Sequence, residues 1–174
     1  MQDIPVDSRV FHFQDGWLVA KYDDMPFYQN QLKSGYGLRR GLKAVDLIAF
    51  CPTDKTLYLI ESKDYRKHRR TKSMPPAEDF IDKVIDTLTG LIPTILCSTE
   101  TTEDVRKVRE GVRKSQKLRL IYQFEQPAKH SKLFPRVFDP TEIQLKLCQD
   151  LKCFDPHVLV VESVTQHKVA WTVD

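Results

Sequence analysis

Apolar and polar residues alternate along "RVFHFQDGWLVAKYDD", on both sides of Asp15-Gly16. The pattern predicts a β-hairpin folded at one of the dipeptides most favoured in tight turns. Two more strands, "AVDLIAFC" and "TLYLIESK", are joined by "PTDK". Both are apolar on two faces, as strands covered on each side are. Helical spacing of Phe80, Val84, Ile85, Leu88 and Ile92 predicts a helix over about 77–92, opened after Pro75 and Pro76 and ended by Pro93. "TTEDVRKVREGVRKSQK" predicts another, with Thr102 as cap, acids in its first turn and bases in its last. "KLRLIYQFE" is the next strand, and Asp139 with Pro140 and Glu142 opens a helix to about Leu151 carrying Ile143, Leu147 and Leu151 on one face. "HVLVVES" and "KVAWTVD" close the chain as strands, while "MPFYQNQLK" predicts a short helix after Asp24 and "SGYGLRRGLK" a basic, glycine-punctuated loop. Strands with helices before, between and after them predict an α/β fold, a three-layer α/β/α sandwich around a mixed central sheet.

The 174 residues suffice for one sizeable core, so residues 1–174 are read as a single domain. Hydrophobic residues at 41% and charged residues at 29% exclude a disordered or fibrous chain. The net charge of +3 is compatible with a polyanionic partner without requiring one. No apolar run approaches the roughly 20 residues of a bilayer span, and "MQDIPVDSR" lacks the regions of a signal peptide. A cytoplasmic protein is the expectation. Cys51, Cys97, Cys148 and Cys153 form no CxxC pair and have no histidine at zinc-ligand spacing. They read as reduced, mostly buried thiols.

The two greasy strands carry Asp46, Glu61 and Lys63. A turn centred on Thr53 and Asp54 sets Asp46 directly across from Glu61, where opposed like charges destabilise a sheet. Period-two alternation puts Lys63 on the same face, with Ile48, Phe50, Leu57 and Leu59 nearer the turn. Val45, Leu47, Ala49, Tyr58 and Ile60 fill the other face. Facing carboxylates are relieved by sharing a proton, by pairing with Lys63 or by holding a divalent cation. Carboxylates, water and phosphate oxygens suit Mg²⁺, and an ammonium beside them supplies charge where a phosphoryl transition state needs it.

Val45-Asp46, followed after an intervening hairpin by Glu61-Ser62-Lys63, resembles the motif of the PD-(D/E)xK nuclease superfamily, whose fold is restriction-endonuclease-like. The resemblance implies hydrolysis of nucleic-acid phosphodiesters, DNA ahead of RNA, with Mg²⁺ as cofactor and Mn²⁺ able to substitute. It implies Asp46 and Glu61 as metal ligands, the backbone carbonyl of Ser62 as a further one, and Lys63 as the catalytic lysine. Valine replaces the family's proline at 45, no acid lies on the short helix, and the core strand ahead of Asp46 is hard to see. Asp23 or Asp24 is then the candidate third acid.

Candidates for gripping a nucleic-acid backbone are Arg39, Arg40 and Lys43 in the glycine loop, and Arg66, Lys67, Arg69, Arg70 and Lys72 just past the motif. Arg106, Lys107, Arg109, Arg113 and Lys114 form a second basic set, as apt to be merely solvated. Tyr28, Tyr36 and Tyr65 are candidates for stacking on bases, although core packing or surface placement is the safer assumption for each. Gly35, Gly37 and Gly41 match no phosphate-loop spacing, and no histidine pairs with a serine or cysteine as a triad. A homodimer or a partner subunit stays open, as does a non-catalytic binding module on the same fold.

Overall fold

The computed structural model describes every residue except 34–39, 67–72, 128 and 130–136. β1 (Gln2–Val6) and β2 (Arg9–Phe13) pair antiparallel across Asp7-Ser8, with Val6 opposite Arg9. Asp7 takes a φ of 51°, a left-handed conformation that aspartate tolerates better than most residues. The hairpin expected at Asp15-Gly16 does not form, because β2 and the next strand, β3 (Leu18–Lys21), lie in different sheets. Of the two turn residues, Gly16 alone has a positive φ, at 88°. The hairpin turn that Asp-Gly favours needs it at both, and the alternative needs it at the first, Asp15. Phe11, Phe13, Trp17 and Val19 still gather in one cluster, so the chain changes sheet while keeping its apolar side on one core.

The central sheet adds β4 (Leu47–Cys51), β5 (Thr56–Asp64), β6 (Lys117–Glu125) and β7 (Leu159–Val161), in the order β3-β4-β5-β6-β7. Neighbours from β3 to β5 run antiparallel and those from β5 to β7 parallel, so the sheet is mixed as expected. Cys51 faces Thr56 across a four-residue loop and Leu47 faces Ile60, which is the register the hairpin sequence demands.

Helices α1 (Pro76–Leu96), α2 (Glu103–Lys114) and α3 (Pro140–Asp150) all pack on one face of this sheet, against Ile48, Phe50, Leu57, Leu59 and Leu120. The opposite face, built from Leu47, Ala49, Ile60 and Ile121, meets Phe11, Phe13 and Trp171. These come from a three-stranded sheet ordered β1-β2-β8, where β8 is Thr172–Val173, and from the residue just ahead of β8. The layers are therefore helices, mixed sheet and small sheet, not the expected helices on both faces. The cover comes from strands because the two ends of the chain supply the aromatic alternation that a second helical layer would otherwise provide. The last expected strand shrinks accordingly, with a 3-10 segment at Ser163–Lys168 ahead of it.

Pro93 does not end α1, which continues to Leu96. Proline costs one helical hydrogen bond, but the final turn is held from outside. Arg109 of α2 donates to the carbonyls of Ile95 (3.2 Å), Glu100 (3.2 Å) and Ser98. Ile85 and Ile92, expected inward, are exposed, whereas Phe80, Val84 and Leu91 are buried. "MPFYQNQLK" forms a π-helical turn at Tyr28–Lys33 that buries Tyr28 and Leu32. Val45, two residues ahead of β4 and expected on the face of Leu47 and Ala49, instead joins the helix-side core. The four cysteines are free, but only Cys51 is buried and Cys97 and Cys153 are exposed. Among the described residues no helix is long and apolar enough to cross a membrane.

Candidate active site

Asp46 immediately precedes β4, and its carbonyl accepts from the Tyr22 N–H at 3.0 Å, which carries the β3–β4 pairing one step further. The β4–β5 register, extended by one residue, sets Asp46 across from Glu61. Alternation along β5 aims Glu61 and Lys63 to the helix side, the side of Leu57 and Leu59. Asp46 is 5% exposed and Glu61 1%. Lys63 Nζ lies 2.6 Å from Glu61 Oε1 and 3.8 Å from Asp46 Oδ2. It also donates to the Ser62 carbonyl at 2.9 Å, while the Ser62 N–H donates to Asp46 Oδ2 at 2.6 Å. The structure thus brings Asp46, Glu61, Lys63 and the Ser62 main chain together.

Lys83, which sequence reasoning missed, joins the cluster, and Asp23, which it left open, couples to Asp46 through its charge. Lys83 of α1 places Nζ 2.6 Å from Glu61 Oε1 and 3.9 Å from Asp46 Oδ1. Its signal in the sequence was a polar row, Asp79, Lys83 and Asp86, at the same helical spacing as the neighbouring buried row Phe80, Val84 and Thr87. Asp23 lies in the 3-10 turn Tyr22–Asp24 that follows β3. Its Oδ1 is buried without a hydrogen-bond partner among the described residues. Burial, then the charges of Asp46 and Asp24, push its carboxyl up to about 6. Asp24 points outward and pairs with Lys21 at 2.5 Å, so Asp23 is the acid that senses the site.

Glu61 carries the same signature more strongly. Its Oε2 is buried with no hydrogen-bond partner among the described residues. Burial, then Asp46, push its pKa up to about 7 although both lysines pull it down. For Lys63, burial favours the neutral amine, but the charges of Glu61 and Asp46 outweigh it and hold the ammonium protonated. Taking charges out of water costs several kcal/mol per ion, so two carboxylates and two ammoniums at this depth are tolerable only as a mutually compensating set. Among the described residues no group of three or more His, Cys, Asp or Glu is gathered as a metal cage.

Behind the strand, on the small-sheet side, Arg9 of β2 is 2% exposed. It donates to Ser62 Oγ at 3.1 Å and lies 3.5 Å from Glu125. Arg9 carried no signal in the sequence, because it reaches Ser62 only through the packing of one sheet on another.

The predicted backbone-gripping residues fare less uniformly. Arg40 pairs with Asp86 at 2.9 Å, Lys43 with Asp82 at 2.8 Å and Asp79 at 3.4 Å, and Arg66 with Asp64 at 2.7 Å. Each described candidate is therefore engaged in an ion pair, and two of the three pin loops to α1. Arg39, Lys67, Arg69, Arg70 and Lys72 lie outside the described residues, as does Tyr36. Tyr28 is buried, and Tyr65 packs on Phe124 and Phe138 with its hydroxyl 3.1 Å from that of Tyr122. On α2, Lys107 and Lys114 pair with Glu103 and Glu110 within the helix. No protein-family model, curated protein or solved structure matches the chain.

Proposed function

We propose that the chain is a Mg²⁺-dependent nuclease with a restriction-endonuclease-like core, hydrolysing phosphodiester bonds of DNA in preference to RNA. The observation that carries this reading is the convergence of Asp46, Glu61 and Lys63 on one face, with Glu61 Oε2 buried and unpartnered among the described residues. The order β3, β4, β5, α1, α2, β6 is compatible with it, and β3 is a candidate for the core strand ahead of Asp46.

The donor set fits a hard cation: Asp46, Glu61 and the Ser62 carbonyl offer oxygen alone, with Asp23 as the further acid. Bound there, Mg²⁺ would polarise a phosphoryl oxygen and acidify a water. The remaining roles belong to the chain. The Ser62 N–H fixes one oxygen of Asp46, leaving the other for a ligand. Lys63, held protonated, sets positive charge where the attacked phosphate accumulates negative charge. Helix α1 closes the cluster on its apolar side and excludes water from Glu61.

Incubation of labelled duplex DNA, single-stranded DNA and RNA with Mg²⁺, Mn²⁺ or EDTA tests this. Cleavage should require the cation, and Asp46→Ala or Lys63→Ala should lower it at least about 100-fold with the circular dichroism unchanged. Undiminished cleavage by either variant, or none with any substrate and cation, would overturn the proposal. A second reading has its own observation: two ammoniums already balance two carboxylates, as in a closed structural network. A non-catalytic binding module of that kind would retard DNA in a gel equally in Mg²⁺ and EDTA and never shorten it.

A further inference from the structure

The ammonium of Lys83 stands between the carboxylates of Glu61 and Asp46, at 2.6 and 3.9 Å. Its side chain is 14% exposed and comes from α1, a different element from either acid. We infer that Lys83 is a built-in competitor for the divalent cation: ammonium and metal occupy the same gap, and loading the site requires Lys83 to swing out. The inference rests on the metal-dependent reading above and deepens it.

Three observations carry it. Lys63 has a second anchor in the Ser62 carbonyl, whereas among the described residues the polar contacts of Lys83 are the two carboxylates alone. Released from them, Lys83 keeps no other bond that holds it in place. The side chain is long, and its route outward follows a helix whose polar row, Asp79 and Asp86, is already paired with Lys43 and Arg40. Glu61 Oε1 takes both ammoniums at 2.6 Å while Oε2 is buried with no partner among the described residues, so a carboxylate oxygen stands unused for a cation once Lys83 gives way. A competitor of this kind prevents the buried acids from facing each other uncompensated whenever the cation is absent.

Titration of EDTA-stripped protein with Mn²⁺, read by calorimetry, tests the idea without any substrate. Lys83→Met should bind Mn²⁺ at least tenfold more tightly than the wild type. Lys83→Arg, which keeps the charge, and Lys114→Met, which removes an equal charge on a distant helix, should stay within about threefold of it. In thermal melts, Lys83→Met should be less stable than wild type in EDTA and recover more on adding Mn²⁺. Equal Mn²⁺ affinity in wild type and Lys83→Met would overturn the competition while leaving the metal site standing. If neither protein binds Mn²⁺, both the competition and the metal-dependent reading fall. Tightening in Lys114→Met as large as in Lys83→Met would reduce the effect to net charge and overturn the local claim.

Discussion

Replacing Glu61 by Gln probes the site through folding alone. In the folded chain burial and Asp46 raise the Glu61 pKa from 4.5 to about 7. Because the folded value is the higher, the protonated acid favours the fold. That stability is fully present below pH 4.5 and drains away as pH rises through 7. Each tenfold difference in proton affinity between the folded and unfolded chains is worth about 1.4 kcal/mol, so between pH 5 and 8 Glu61 should cost the wild type about 2 to 3 kcal/mol. Glu61→Gln removes that dependence, since the amide does not titrate. Asp23 also titrates in this window, but its shift is led by burial, then Asp46 and Asp24, which both proteins share, so most of its contribution cancels when the two are compared. The assay is urea unfolding in EDTA at pH 5, 6, 7 and 8, with stability taken from midpoint and slope. The difference between wild type and variant should change by about 2 to 3 kcal/mol across the series, in favour of the variant at high pH. Parallel profiles, differing by less than about 0.5 kcal/mol over the range, would mean that Glu61 is not desolvated beside Asp46 and would refute the reasoning.

Three further outcomes follow from the packing. In Gly111→Ala the new Cβ would come within 2.9 Å of Phe50 Cβ on a central strand. Overpacking of about 1 to 3 kcal/mol outweighs the roughly 1 kcal/mol gained in helix propensity, so the melting temperature should fall, and a rise would contradict the contact. Asp86→Ala should lose about 2 to 3 kcal/mol in urea unfolding, because this buried carboxylate accepts from the Lys43 N–H at 2.9 Å and from Arg40; a loss under about 0.5 kcal/mol would show that the pins are dispensable. His12 donates to Asp3 and Asp174, and these hydrogen bonds raise its pKa, so the clasp is intact below pH 6.5 and weakens as pH rises through the raised value. The His12 ring resonances in NMR should titrate later in wild type than in Asp3→Asn, and coincident curves would deny the pairing.

Local pattern was enough for much of this protein. The "PTDK" loop, its parity and the alternation of β5 put Asp46 opposite Glu61 with Lys63 on the same side, because strand geometry converts spacing directly into facing. The capping residues Thr102 and Asp139 likewise accept from Val105 and Thr141 as expected, since caps act within one turn. Decisions made by distant residues were not legible. Whether Asp15-Gly16 closes a hairpin depended on where the aromatic side chains of β2 could be buried, and Pro93 failed to stop α1 because Arg109 holds its last turn. The second cover of the central sheet came from the two ends of the chain, which no local period announces. Lys83 and Arg9 reach the site from a helix on one face and a strand on the other, so only the stacking of layers could bring them to Glu61 and Ser62. Spacing within a hairpin is short-range and fixed by bond geometry, whereas the partners of a buried charge are chosen by whichever elements the whole chain packs around it.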